Sequence, residues 1–323
     1  MKIRKTLPRL LGFLLLGILL TRIDRGQFLT ALGNAAIPLV VAAVVLNVPG
    51  ILVKALRWRW MLRAQGISYG VVPSSLAYFG SIFIGLLTPG RLGEFIKAVY
   101  VSRDCGVPSG RAFSSVLADR LFDLYALMIV GGAALVSLGL ADNGATVLAI
   151  GATAAALILP IPLLLNNSTF GWFQALGNRF GKLGGKLFGP DGWVVELRDG
   201  LKQLTLLWAL LAVALTVLAY AVFYTQAYLL ALALGLNVGV VQVSYAVALG
   251  SLITLIPISI SGIGTRETGI VAYLGTVGVT PEAALGFSLL VFVTFYLGTG
   301  LIGSVAWIIK PVKWERGVEF SSR

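Results

Sequence analysis

Histidine is absent from this 323-residue chain, and cysteine occurs once, as Cys105. Without imidazole there is no His general base, no His-based triad and no His-ligated metal. A single thiol allows no internal disulfide and no thiolate cluster, and Cys105 reads as a small loop residue. P-loop, Rossmann and CxxC patterns are also missing, so neither a metal nor another cofactor is expected. Charge is scarce: Asp, Glu, Lys and Arg make up 12% of the chain, about half the share usual in soluble domains.

Hydrophobic residues fill the space, at 58% of the chain. Apolar runs recur at 35–53, 121–141, 205–234 and 283–309. A soluble core can hide one run of about 18 apolar residues, but not several. The sequence therefore reads as an all-α polytopic membrane protein, a single integral membrane domain over 1–323.

The net charge of +12 fits basic loops against anionic lipid, and no nucleic-acid partner is expected. The N-terminal Lys2, Arg4, Lys5 and Arg9 precede a short apolar stretch, Leu10–Leu20, expected to remain as an uncleaved first span. Further spans are expected near 35–53, 112–140, 145–165, 205–235 and 282–309, with a cytoplasmic loop at 166–204. On this arrangement 19 of the 25 basic residues lie on one side, including Lys54, Arg57, Arg59 and Arg63. Only Arg22 and Arg25 lie on the other, and four fall in apolar segments. Both termini are then cytoplasmic, in a multi-pass protein of the cell membrane. Trp58 and Trp60 would mark a headgroup boundary.

Segments 73–104 and 241–279 break the alternation. Each must enter and leave on one face, and each is too short for two full spans. Both read as re-entrant helical hairpins, broken by Pro89, Gly90 and Gly93 in one and Pro257, Gly262 and Gly264 in the other. VPSSLAYFGSIFIGLLTPGRLGE and VQVSYAVALGSLITLIPISISGIGTRE share a Gly-Ser, then a proline, then glycines with an Arg and a Glu. The expected architecture is six spans plus two oppositely oriented hairpins. They form an inverted repeat, about 35–140 and about 205–309, as in many transporters.

Eight charges are assigned to the interior: Arg91, Glu94, Lys97, Asp119, Arg120, Asp123, Arg266 and Glu267. They sum to zero. Each costs about 2.5–3.5 kcal/mol on insertion scales. Either they tie hairpins to spans, or they form a polar path for a charged headgroup. Taken together they favour the path. Arg91 and Arg266 are the anion-binding candidates, since guanidinium donors match phosphate. Lys97 is expected to snorkel at the interface. Tyr220, Tyr224 and Tyr228 repeat every four residues and form either a packed face or a groove wall.

LLTPGRLGEFIKAVYV, ADRLFD and PISISGIGTRE, in that order, resemble the lysylphosphatidylglycerol synthase transmembrane-region family over roughly residues 10–310. The resemblance implies a flippase-like, lipid-translocating domain. Pro89, Gly90, Glu94, Asp119, Arg120, Asp123, Pro257, Gly262, Gly264 and Glu267 fall on matching positions. Fused members carry a soluble aminoacyltransferase domain, and this chain is expected to be a standalone member without it. The leading expectation is a lipid flippase or scramblase, not an enzyme. Its partners would be membrane lipids and anionic headgroups, with a homo-oligomer or a separate lipid-modifying enzyme as further partners. The alternatives are a membrane transferase acting on a polyprenyl-phosphate-linked sugar, with Glu94 or Asp119 as base, and an ion-coupled small-solute carrier.

Overall fold

The structure is a computed structural model. It describes residues 24–139, 158–179, 181–190, 192–254 and 262–312, with isolated positions at 21, 144, 148, 151, 152 and 155. The expected first span, nine of the 21 residues of the 145–165 span and Pro257 lie outside the described residues.

The described residues are helical. After α1 (Arg25–Gly33), α2 (Ile37–Val45) and α3 (Asn47–Ala64) run as one rod interrupted at Leu46. Pro49 explains the interruption, because it has no N–H to offer the Val45 carbonyl one turn back. Then come α4 (Val71–Leu86), a 3₁₀ segment (Pro89–Phe95), α5 (Ile96–Cys105) and the long α6 (Ser109–Ser137). Residues 160–202 form four short helices, α7 (Pro160–Leu165), α8 (Asn167–Asn178), α9 (Gly181–Phe188) and α10 (Trp193–Lys202). The second half holds α11 (Leu206–Ala233), α12 (Val240–Ile253), α13 (Thr265–Thr276) and α14 (Pro281–Val291). A π-helical turn (Phe292–Gly298) joins α14 to α15 (Thr299–Ile309).

Four helical rods among the described residues are long and apolar enough to cross a bilayer: Ile37–Ala64, Ser109–Ser137, Leu206–Ala233 and Pro281–Ile309. The chain is an all-α polytopic membrane protein. By contrast, α4 has 16 residues and α12 has 14. At about 1.5 Å per residue neither covers a core of about 30 Å.

Each short helix stops at a break and is followed by a second arm. In the first break Thr88 is extended, as the residue before a proline must be. Its hydroxyl accepts from the Gly93 N–H at 2.7 Å and donates to Gly85 O at 3.1 Å. The left-handed residue of this break is Arg91, with φ 57°, rather than a glycine. Gly93 serves a different need from the expected turn: a Cβ there would stand 2.5 Å from Ile84 O. In the second break Gly262 and Gly264 do supply positive φ, at 75° and 83°. The Glu267 carboxylate then accepts from the Gly264 N–H at 2.6 Å, capping α13.

Packing crosses between the halves. Helix α4 lies along α15, and α12 lies along α6, while α3 and α11 pair with each other. Close approach uses small residues: a Cβ on Gly303 would meet Phe79 O at 2.6 Å, and one on Gly131 would meet Leu252 Cδ1 at 2.2 Å. Outside the spans, Asp104 at the end of α5 accepts from Tyr69 and pairs with Lys310 beyond α15. Burial pushes the Tyr69 phenol up, and the Asp104 hydrogen bond adds to the shift.

Candidate functional site

The first break, the end of α12 and the long helices enclose a cavity of about 300 Å³. Its wall is built from α3 (Asn47, Lys54), α4 (Tyr78), the 3₁₀ segment (Arg91, Glu94), α6 (Arg120, Asp123), α11 (Tyr220, Gln226), α12 (Ser251, Thr254) and the π turn (Phe295, Tyr296).

Asp119 and Asp123 are one turn apart on α6 and organise one side. Arg57 is wholly buried between them. Its Nε and Nη2 donate to Asp119 Oδ1 at 3.0 and 2.7 Å, and Nη2 also donates to Asp123 Oδ1 at 2.9 Å. Nη1 donates to Thr216 Oγ1 on α11 at 2.8 Å. Lys97 is equally buried, with Nζ 2.7 Å from Asp119 Oδ2 and 3.9 Å from the Tyr78 ring centroid. Both Asp119 oxygens are thus taken by cations, and Tyr78 OH donates to the second at 3.1 Å. Arg120 reaches Glu94 Oε2 at 2.7 Å, tying the first break to α6, and Asp123 Oδ2 at 3.4 Å. Lys54 sits 3.2 Å from Asp123 Oδ1 and over the Tyr220 ring at 4.7 Å. Tyr220 OH in turn donates to Asp123 O at 3.0 Å.

The second side is neutral and polar. Gln226 Nε2 donates to Asn47 Oδ1 at 3.0 Å and to Ala43 O at 2.7 Å. Asn47 Nδ2 donates to Thr294 O at 2.8 Å. That carbonyl lies inside the π turn, where i→i+5 bonding loosens the regular ladder. The start of α3 and the π turn after α14 are therefore fastened to each other across the cavity edge.

Tyr296 joins the two breaks. The Arg91 guanidinium lies 4.8 Å from its ring centroid and the Arg266 guanidinium 4.4 Å. Arg266 is buried, pairs with the adjacent Glu267, and also stacks on Phe292 at 5.0 Å.

Several sequence expectations change. Glu94, Asp119, Arg120 and Asp123 come together in one network, and Arg91 faces the cavity. Arg266 and Glu267 stand behind Tyr296 and do not line it. Lys97 does not snorkel, since its ammonium is enclosed by Asp119 and the Tyr78 and Trp58 rings. Trp58 is no boundary residue: it is fully buried and donates to Ser115 Oγ at 3.1 Å. Of the tyrosine row, Tyr220 meets the cavity, whereas Tyr224 packs on Tyr220 and Phe223, and Tyr228 packs against the second-half core.

The largest correction concerns Lys54 and Arg57, which the charge count had placed at the cytoplasmic face. Their signal was present: Asn47, Gly50, Ile51 and Lys54 follow the i, i+3, i+4, i+7 stripe of one helix face. With these two the interior, among the described residues, holds six cations, Lys54, Arg57, Arg91, Lys97, Arg120 and Arg266. They face four carboxylates, Glu94, Asp119, Asp123 and Glu267. The site is not neutral but carries a formal excess of two positive charges.

A polytopic helical protein with a charged cavity between two broken-helix elements defines the class. The chain belongs to the lysylphosphatidylglycerol synthase TM region family, whose match covers residues 7–303. It is similar to the glycosyltransferase AglD of Haloferax volcanii, 29% identical over 319 residues. That alignment takes in 87% of this chain and 50% of AglD, so the chain spans half the length of that relative. It is also similar to a UPF0104 membrane protein of Methanocaldococcus jannaschii, 22% identical over 334 residues, with 95% of each protein covered. A UPF0104 membrane protein of Pyrococcus horikoshii is 26% identical over 129 residues, 39% of this chain and 38% of that protein.

Proposed function

We propose that this protein translocates a lipid across the cell membrane by passing its anionic headgroup through the cavity while the tails stay in the bilayer. The observation that carries the reading is the excess of cations, Lys54, Arg91 and Arg120 against Glu94 and Asp123, facing a cavity walled by the first break and the end of α12. The volume of about 300 Å³ is at the lower end for ligand pockets, enough for a headgroup and too small for a whole lipid. The crossed packing of α4 on α15 and α12 on α6 supports reading residues 35–140 and 205–309 as an inverted repeat. In that reading the two hairpins enter from opposite faces, and both termini are cytoplasmic. Alternating access would then rock one repeat against the other about Tyr296.

Vesicles reconstituted with the protein and headgroup-labelled phospholipids or lipid-linked sugars test this. Label should become protected from, or exposed to, a membrane-impermeant quencher faster than in empty vesicles. Equal rates for every lipid would refute translocation.

The similarity to AglD favours a second reading, a membrane transferase acting on a lipid-linked sugar. The geometry gives it less support. Asp119 holds Arg57 and Lys97 on its two oxygens, and Glu94 holds Arg120, so neither carboxylate is placed to accept a proton. Product formed in detergent, with no second compartment, would establish the transferase.

A further inference from the structure

We infer that the translocated headgroup is a phosphate monoester, bound as a dianion by Lys54, Arg91 and Arg120. This rests on the translocation reading and names its substrate class. The argument is one of charge and place. Arg57 and Lys97 have no exposed side-chain surface and are spent on Asp119 and Asp123. Arg266 is spent on Glu267. The remaining three cations keep accessible surface, at 25% for the Lys54 side chain, 40% for Arg91 and 19% for Arg120. They face the same cavity, and its wall carries only Glu94 and Asp123 as carboxylates.

Asp123 already answers Arg57 as well as Lys54, and Glu94 lies between Arg91 and Arg120, with Arg91 Nη1 3.7 Å from its Oε1. The wall therefore carries one excess positive charge, and the buried Arg57, Lys97 and Arg266, set against Asp119 and Glu267, add a second just behind it; the cavity is where a ligand can answer both. Uncompensated charge in a low-dielectric setting is costly, and a ligand of charge −2 removes both excess charges. A phosphate monoester carries about −1.5 to −2 at neutral pH. A phosphodiester carries one negative charge and leaves one cation unanswered. A net cationic lipid such as lysylphosphatidylglycerol adds to the excess. A monoester leaves three terminal oxygens free where a diester leaves two, so it gives the guanidinium forks of Arg91 and Arg120 and the Lys54 ammonium more acceptors to share.

The test uses the full chain in phosphatidylcholine nanodiscs, at pH 8, with phosphatidic acid, phosphatidylglycerol or lysylphosphatidylglycerol as the minor lipid. Retained lipid is read by native mass spectrometry. Phosphatidic acid should be held at least about tenfold better than phosphatidylglycerol, the equivalent of ~1.4 kcal/mol, and lysylphosphatidylglycerol should be held least. Arg91→Gln, at an exposed position, and Lys54→Ala should each bring the ratio of the first two lipids toward one. Equal retention of phosphatidylglycerol and phosphatidic acid by the parent protein would overturn the inference. So would complete displacement of phosphatidic acid by millimolar inorganic phosphate, which would mark a site for a free anion. Intact selectivity without movement of any lipid in vesicles would instead overturn translocation, so the two failures are separable.

Discussion

Arg57 offers the sharpest test of the buried network. Arg57→Met keeps much of the side chain's length and apolar packing and deletes the guanidinium. The change removes the donors to Asp119 Oδ1 at 2.7 and 3.0 Å, to Asp123 Oδ1 at 2.9 Å, to Asp119 O at 3.1 Å and to Thr216 Oγ1 at 2.8 Å. Breaking a buried pair by deleting one partner costs about 3–5 kcal/mol. Here Asp119 retains Lys97, and Asp123 retains Lys54 and Arg120. The expected loss is therefore near the lower end, about 3 kcal/mol. In the double variant Arg57→Met with Asp119→Asn, the amide oxygen can still accept from Lys97 while the unanswered negative charge is gone. Its loss should fall short of the sum of the single losses by about 1–3 kcal/mol. Reversible unfolding in mixed detergent micelles, titrated with a denaturing detergent, measures all four proteins. A single variant within about 0.5 kcal/mol of the parent, the range of an ordinary surface change, would refute the network. Strict additivity in the double variant would do the same.

Gly93→Ala should destabilise by about 1–3 kcal/mol, because its Cβ would press on the Ile84 carbonyl; unchanged unfolding would show that the break relaxes freely. Arg91→Gly should gain roughly 1 kcal/mol by relieving a left-handed backbone yet lower lipid movement, and a variant that transports as well as the parent would remove Arg91 from the headgroup path. Asn47→Ala leaves Thr294 O without its side-chain donor and Gln226 with Ala43 O as its remaining acceptor, a loss of about 1–3 kcal/mol in the same unfolding assay.

The membrane class was legible because apolar length is read directly from composition, and the breaks were legible because proline and glycine act locally. The Glu94, Asp119, Arg120 and Asp123 association was also within reach, since charges inside apolar runs must find one another. Lys54 and Arg57 were hidden by a rule that is correct on average. Basic residues at the end of an apolar run usually mark the cytoplasmic edge, and here the run extends to Ala64 as one 28-residue rod. The helix continues past its last obviously apolar turn because Asp119, Asp123 and Thr216 answer Arg57 from neighbouring helices. Such partners are distant in sequence, so periodicity along one helix cannot reveal them. Tyr296 was missed for the same reason: an aromatic among aromatics carries no mark of the two guanidiniums that stack on it.

The backbone leads to the same place as the charges. Pro49 interrupts the first rod at Leu46, Arg91 adopts a left-handed conformation that disfavours a side chain, and the rod after α14 is loosened by a π turn. Each departs from the most stable local choice. Strain spread at random would leave these features on unrelated surfaces. Instead Gly50 and Asn47 beside the interruption, Arg91 in the break and Phe295 and Tyr296 in the π turn all line one cavity. The irregularities meet at one level, and at that level the accessible cations Lys54, Arg91 and Arg120 stand.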